Sequence, residues 1–402
     1  MIRARMTSRL AGLVATVFVV TWAATAVAAP SGPPIRIGGT LALTGPLAAT
    51  ALLHKIAGEI YVEELNRANG LLGRPVEWVL LDDQSKPEVT RTLYEKLITV
   101  DKVDLLMGPY ATGAIIAAMG VAQRYQKVLI HHSFGMPHLA KYEMHFPAAP
   151  FGPEPNRTVP GVVFDAVAAT ANPPKSVAIV TSKFPSAQFQ SAGARDVATQ
   201  RGLKVVLYLE YEFGTRDFGP IAARIKDANP DLLWVGALGL DGNLVLEELK
   251  RLDYSPRRHF HLFPAPGPLV VAPEAKNALS STFFEEHPPF TNNPVAARFA
   301  ATYHERAAKA GVPYTNVDTQ AAGSYAAWQM LEAAVTATKS LDDKLMAQWL
   351  RKNPVPTIVG RFRFDGPNNY GDDLTKVKQV QDGKWIVVWP KEFAAPGARL
   401  QP

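Results

Sequence analysis

The 402-residue chain contains no cysteine. That absence removes disulfides, thiolate metal ligands, iron–sulfur ligation and a cysteine nucleophile together. It also leaves no cysteine near the N-terminus to carry a lipid. Charge is sparse at 19% of residues, and no block of Lys or Arg stands behind the formal net charge of +6. Nucleic-acid binding through a basic patch is therefore not expected. Several enzyme signatures are missing as well: no G-x-x-x-x-G-K-[ST], no H-E-x-x-H, no G-x-S-x-G and no G-x-G-x-x-G. What is present is 47% hydrophobic residues, a globular composition, and 33 prolines, about 8% against a usual ~5%.

The first residues read as an address. Arg3, Arg5 and Arg9 precede an apolar run from Leu10 to Val20, and small residues continue to Ala29 with Ala26-Val27-Ala28 as an A-x-A pattern. This is the form of a secretory signal peptide over residues 1–28, and the run falls short of the ~20 residues of a membrane-spanning helix. Removal of that leader takes three arginines, leaving 39 basic residues against 36 acidic ones, a charge of about +3. No other segment reaches membrane-spanning length. An exported, unlipidated protein of the periplasm is expected.

The remainder alternates short apolar strands with helices. Strands are expected at Ile35–Leu43, Val76–Leu81, Asp104–Met107 and Val128–His131, with helices at Leu53–Ala68, after Pro87, and at Gly113–Tyr125. Ser85-Lys86-Pro87-Glu88 reads as a capping box opening the second helix. A proline-rich pause at Phe146–Pro160 follows. Strands then resume at Val177–Thr181, Lys204–Leu209, Leu232–Gly236 and His259–Phe263, with helices at Gln188–Arg201, Phe218–Ala228 and Asn243–Leu252. A second pause near Thr282–Asn293 leads to helices Pro294–Ala310 and Val317–Thr338. Strand-like pieces close the chain at Gly360–Phe364, Lys376–Gln381 and Trp385–Trp389. Alternation of this kind builds parallel sheets from βαβ units, and two series imply an α/β protein with two doubly wound parallel-sheet lobes.

The segments IRIGGTLALTGPLA, ELNRANGLLGRPVEWVLLDDQSKPE, LLMGPYATGAIIA, SVAIVTSKFPSAQFQSAGARDV, GTRDFGPIAARIKDANPDLLWVGA and IVGRFRFDG occur in that order. In that succession, from Ile35 to Trp389, the chain resembles the branched-chain amino-acid (Leu/Ile/Val) binding protein family of type I periplasmic solute-binding proteins. The resemblance implies a three-stranded hinge, with crossings near Pro150–Pro155, Phe283–Glu286 and Gly360–Phe364. It further implies an N-terminal lobe of 34–151 plus 284–360 and a C-terminal lobe of 152–283 plus 361–395. The implied role is the capture component of an ABC importer, monomeric, partnered by an inner-membrane permease.

In an open α/β sheet, ligands bind beyond the carboxyl ends of strands at helix N-termini, where free N–H groups and the helix dipole favour an anion. The loop Gly108–Gly113, with Tyr110, Ala111 and Thr112, is the leading candidate. The resemblance assigns Thr112 to the ligand carboxylate, with Ser133 and Gly135 completing that site. Phe134 is then expected as an apolar wall or, alternatively, as a core residue, and His131 or His132 as a hydrogen-bonding neighbour of the ligand or across the cleft. His131-His132 does not suggest a metal, because consecutive strand residues face opposite ways; no metal or cofactor is expected. From the second lobe come Phe184, Ser186 and Leu238. The loop Pro264–Gly267 lacks the glutamate with which the family pairs an α-ammonium. A small carboxylate with an aromatic or apolar body is therefore expected over leucine, since a buried ammonium without an acid is costly. Branched-chain amino acids, amides or urea are the alternatives within binding proteins. An exported α/β hydrolase is the alternative of another class. Asp82-Asp83 reads as turn chemistry, and Asp241 as a solvated or capping residue.

Overall fold

Residues 1–2 and 29–402 are described by the computed structural model, so the expected leader falls almost wholly outside the described residues. Strand β1 (Ile35–Leu41) is nearly all buried, and two glycines set its neighbours: a Cβ on Gly39 would lie 2.8 Å from the Met107 carbonyl oxygen. Close strand approach is thus written into the GG pair. β1 lies between β2 (Val76–Asp82) and β3 (Leu105–Leu106), parallel to both. A parallel bridge from Met107 to Ile130 carries the array on to β4 (Leu129–His131), which pairs with β5 (His145–Pro147). The helices of this half are α1 (Ala48–Arg67), α2 (Pro87–Thr99) and α3 (Thr112–Tyr125).

The second sheet contains β6 (Ser176–Ser182), β7 (Lys204–Tyr211), β8 (Leu232–Gly239), β9 (His259–Pro264) and β10 (Leu279–Thr282). It interleaves with α4 (Pro155–Ala168), α5 (Pro185–Gln200), α6 (Gly219–Ala228), α7 (Asp241–Arg251) and α8 (Pro266–Val271). The chain then returns to the first half: α9 (Pro294–Lys309) and α10 (Thr319–Thr338) pack on α1, and α11 (Asp343–Lys352) packs on α10. After the small hairpin of β11 (Val355–Pro356) and β12 (Arg361–Phe362), strands β13 (Lys376–Gln381) and β14 (Lys384–Trp389) complete the second sheet. Its order is β14-β13-β10-β9-β8-β6-β7, with β13 antiparallel to both neighbours. Two parallel-sheet lobes are therefore present. Each sheet reverses its strand order beside its first strand, at β1/β3 in one and β6/β8 in the other, and ligand crevices form at such switch points.

Several expectations are corrected. β5 and β10 were not anticipated, because HFP and LSST are too short and too weakly apolar to stand out. The pause at 146–160 contains the start of α4, opened by Pro155 at its first turn, with Pro160 inside the helix. Proline at 160 cannot donate to the Asn156 carbonyl, and α5 comes against that carbonyl at Gly193, where a Cβ would sit 1.9 Å from it. The capping box does not form: Lys86 is the N-cap without a side-chain cap, and the Ser85 hydroxyl instead donates to the Thr44 carbonyl and accepts from the Leu47 N–H. Asp82 and Asp83 do perform turn chemistry, accepting from Thr44 and Gln84 and from Thr40 and Ser85 respectively. The third passage between the lobes lies later than Gly360–Phe364. Asn369 and Tyr370 still bond to Glu143, His145 and Phe134 of the first half, and the chain meets the second sheet only beyond Asp373, which bridges Phe151. The tertiary neighbours of 361–372 override its sequence distance.

No described helix is long and apolar enough to cross a membrane. Six histidines (His54, His131, His132, His145, His259 and His261) are buried, and burial pushes each below its ordinary value, with a neighbouring histidine lowering His54, His131 and His261 further.

Two outcomes follow. Gly193→Ala forces the α4–α5 contact apart and should lower unfolding free energy by about 2–3 kcal/mol, measured by urea denaturation. The histidines have folded values depressed to about 4 for His132, His145 and His259, so the unfolded chain binds more protons between about 4 and 6.5 and stability rises with pH across that window. Glu285, raised to about 7 by burial, acts in the opposite sense, as do Asp83, Asp241, Asp318, Asp343 and Asp373, whose carboxyls burial also raises. The six imidazoles should prevail, so the melting temperature is expected to fall from pH 6.5 to pH 4; a flat profile would show that the buried carboxyls offset them.

Candidate functional site

The main cleft opens where the two switch points face each other, with about 840 Å³ of space including its open mouth. On the first lobe, β3 runs into Gly108, where a Cβ would stand 2.4 Å from that of His131. The chain then turns sharply: Ala111 precedes α3 at φ 75° and ψ 148°, a region that non-glycine residues occupy at a cost of about 1–3 kcal/mol. Thr112 opens α3, and its hydroxyl makes no hydrogen bond within the described residues although the residue is buried. Tyr110, Ala111 and Thr112 all line the cleft, beside helix N–H groups that lack intrahelical acceptors. The arrangement suits an anionic oxygen.

The loop after β4 behaves differently from the expectation. His131 turns inward and shares a 2.9 Å hydrogen bond with His145, while His132 lines the cleft. Ser133 then adopts φ 77°, which reverses the alternation. Phe134 is consequently driven into the core, edge-on to His131 at 5.6 Å, with its carbonyl accepting from the Tyr370 hydroxyl. Phe134 is not a cleft wall. Ser133 does line the cleft, but its hydroxyl donates to Gln320 Oε1 at 2.8 Å, so that proton is committed inside the protein. His132 stacks on His54 with ring centroids 4.1 Å apart, and His54 in turn lies 4.8 Å from the Tyr110 ring. Burial holds His132 at about 4 and His54 well below its usual value, so this wall is neutral at pH 7.

The second lobe supplies Phe184, Ser186 and Leu238 at the ends of β6 and β8. Ser186 is buried and its hydroxyl makes no hydrogen bond among the described residues, and Phe184 packs against the cluster of Leu41, Ala42, Tyr110 and Ala111 from the opposite lobe. Gly135 touches this lobe directly. A Cβ there would stand 3.1 Å from Gln190 Nε2 and 3.2 Å from the Ser186 Cβ. The lobes are therefore in contact across the cleft mouth. Of the ten residues expected at the site, nine are brought together around one cavity and Phe134 is excluded.

Sequence reasoning missed the floor. Asp318, Thr319 and Gln320 at the start of α10, Ser280–Phe283 after and within β10, Lys378 on β13, and the rings of Phe151 and Phe263 also line the cleft. Asp318 caps α10 by accepting from the Ala321 N–H at 2.9 Å, and burial raises its carboxyl despite the attraction of Lys378. Lys378 Nζ is 2.7 Å from Glu285 Oε1, and both side chains are buried. Glu285 also accepts from Thr282 Oγ1. The loop at 264–267 is indeed without an acid, yet the cleft is not: Asp318 brings one from the other lobe. The one signal for it was an Asp three residues before Ala321 at a helix start, which reads simply as a cap. Asp241 lies elsewhere, opening α7 and accepting from the Tyr211 hydroxyl at 3.0 Å. No group of three or more His, Asp or Glu in a metal-binding arrangement occurs among the described residues.

A solute-sized cleft between two α/β lobes defines a binding protein of the bilobal kind. Residues 34–384 match the family model described as "Periplasmic binding protein", and the chain belongs to that family, the solute-binding components of ABC importers. It is 24% identical over 361 residues to a Leu/Ile/Val-binding protein homolog 1 of Brucella melitensis, covering 87% of this chain and 92% of that one. It is 20% identical over 370 residues to the leucine-, isoleucine-, valine-, threonine- and alanine-binding protein of Pseudomonas aeruginosa, covering 89% and 92%. Among solved structures, a leucine-binding protein LivK from Thermotoga maritima superposes with a TM-score of 0.74 at 20% identity, covering 88% and 97%. A solute-binding protein of an ABC transporter from Rhodopseudomonas palustris, in complex with 3,4-dihydroxybenzoic acid, gives 0.72 at 19%, covering 88% and 95%.

Because Gly135 sits against Ser186 and Gln190, Gly135→Val should hold the lobes apart. The expected result is a larger radius of gyration than wild type by small-angle X-ray scattering, with an unchanged circular dichroism spectrum. An unchanged radius would mean that Gln190 swings aside.

Proposed function

We propose that this protein captures a small carboxylate with an aromatic or apolar body between two closing lobes and delivers it to an inner-membrane ABC permease. The observation that carries the reading is the polarity of the cleft. Unpartnered Thr112 and the α3 N-terminus form one end, while Phe184, Leu238, Phe263 and Phe151 form the body. An aromatic ring of ligand buries on the order of 150 Å², about 4 kcal/mol at ~25 cal/mol/Å². Charge-assisted hydrogen bonds at the anion end add about 1.5–3 kcal/mol each. Closure is driven only by contacts made to both lobes at once, which is what Thr112 on one side and Phe184, Ser186 and Leu238 on the other supply. Ser133 contributes through its backbone and through Gln320, whose amide it orients.

In this reading the protein is exported by its leader, is not lipidated and acts as a monomer in the periplasm. Its lobes are 34–151 with 284–360, and 152–283 with the chain from 373 to 395, residues 361–372 staying with the first. Closure hinges at the three passages between them. No catalysis is assigned to it.

Thermal-shift screening of the mature chain against benzoate, 4-hydroxybenzoate, 3-phenylpropanoate, leucine, acetamide and urea tests the reading, since a ligand that binds only the folded form raises its stability by mass action. Stabilisation by aromatic or apolar carboxylates is expected. Stabilisation by leucine alone would transfer the reading to branched-chain amino acids, and by acetamide or urea alone to amides. Thr112→Val should weaken carboxylate binding about tenfold or more in calorimetry without altering the melting temperature of the free protein; unchanged affinity would remove the anion end from Thr112.

A further inference from the structure

We infer that Asp318 is a specificity-determining residue of this cleft, selecting carboxylates that carry a second, hydrogen-donating group on their body. The inference rests on the reading above and deepens it.

The charges at the cleft floor do not balance. Among the described residues Lys378 is the one cationic side chain lining the cavity, and its ammonium lies 2.7 Å from Glu285, with both groups buried. Thr282 supplies a further hydrogen bond to the same carboxylate oxygen, and the lysine also attracts Asp318 without forming an ion pair with it, so one cation faces two buried acids. Asp318 remains. Its Oδ1 is held by the Ala321 N–H, a helix-capping bond that any Asp or Asn makes. It is nonetheless a carboxylate, 2% exposed, on the wall of a cavity meant for an anion. Two residues further on, Gln320 receives the Ser133 hydroxyl, so Asp318 and the Ser133 loop belong to one continuous wall.

A ligand carboxylate placed near Asp318 meets like charge in a poorly hydrated site, and a bare hydrocarbon there strips the carboxylate of water without replacement. A donor satisfies it. Either a phenolic hydroxyl or an ammonium supplies the same chemistry, a hydrogen bond whose strength comes from the negative charge of its acceptor. The discrimination expected from leaving a buried charged acceptor unpaired is large, as for sites built to bond a substrate hydroxyl or amine. An N-cap role alone requires none of this, because asparagine or serine caps a helix equally well.

That equivalence provides the test. Two matched pairs are titrated into the mature protein by calorimetry: benzoate with 4-hydroxybenzoate, and 3-phenylpropanoate with phenylalanine. Wild type should prefer the donor-bearing member of at least one pair by tenfold or more. The hydroxyl pair and the ammonium pair separate the two sources of the donor. In Asp318→Asn, and independently in Asp318→Ser, the preference should shrink to within about twofold while melting temperature and circular dichroism stay as in wild type. Equal affinity within both pairs in the wild type, or a preference that survives both substitutions, overturns the assignment. If no member of either pair binds, the carboxylate reading itself fails, and the assignment falls with it.

Discussion

The cleft depends on a charge pair that water scarcely reaches. Lys378 comes from β13, near the end of the chain, and Glu285 from the segment leaving β10 toward the first lobe. Burying either alone would cost several kcal/mol, and breaking such a pair typically costs about 3–5 kcal/mol. The pair therefore ties a passage between the lobes to the second sheet. The Thr319 hydroxyl, accepting from the Phe283 N–H, ties the same passage to the start of α10. The floor of the cleft and one pivot of the lobes are thus a single set of bonds. Burial and the attraction of the lysine oppose each other at Glu285, and burial prevails, leaving its carboxyl near 7.

Above that floor, backbone geometry rather than side-chain chemistry shapes the binding wall. Ala111 and Ser133 both hold positive φ values without being glycine, and both lie in loops that follow first-lobe strands. Strain of this kind persists only where surrounding contacts over-determine it. At Ala111 it aims the first turn of α3 at the cavity. At Ser133 it breaks the strand alternation, putting Gly135 on the cleft and Phe134 in the core.

Much of the architecture was legible because parallel strands are continuous apolar runs bounded by turn residues. VAIVT, LLWVG and the DG turn between β13 and β14 needed no tertiary information. Strands LSST and HFP were opaque for the same reason in reverse: their burial comes from neighbours, not from their own composition. The loops after β3, β6 and β8 could be nominated from the rule that ligands meet the carboxyl ends of strands. The floor could not. Lys378 in KVKQV looks like the solvent face of an edge strand, and its burial follows only from β13 being flanked by β10 and β14. Phe134 failed because one residue of left-handed backbone inverts the face of everything after it.

By itself the sequence determined the class of this protein, through a periodic alternation of short apolar strands with helices and a composition without cysteine. Those properties are local, set by periodicity and composition over ten or twenty residues. Tertiary structure alone decided which charges meet at the cleft floor. Asp318, Glu285 and Lys378 are separated by up to 93 residues along the chain and meet only where a helix start, a passage between lobes and a late strand converge. Charge balance in a cavity depends on distances between groups in space, and no pattern along the chain encodes them.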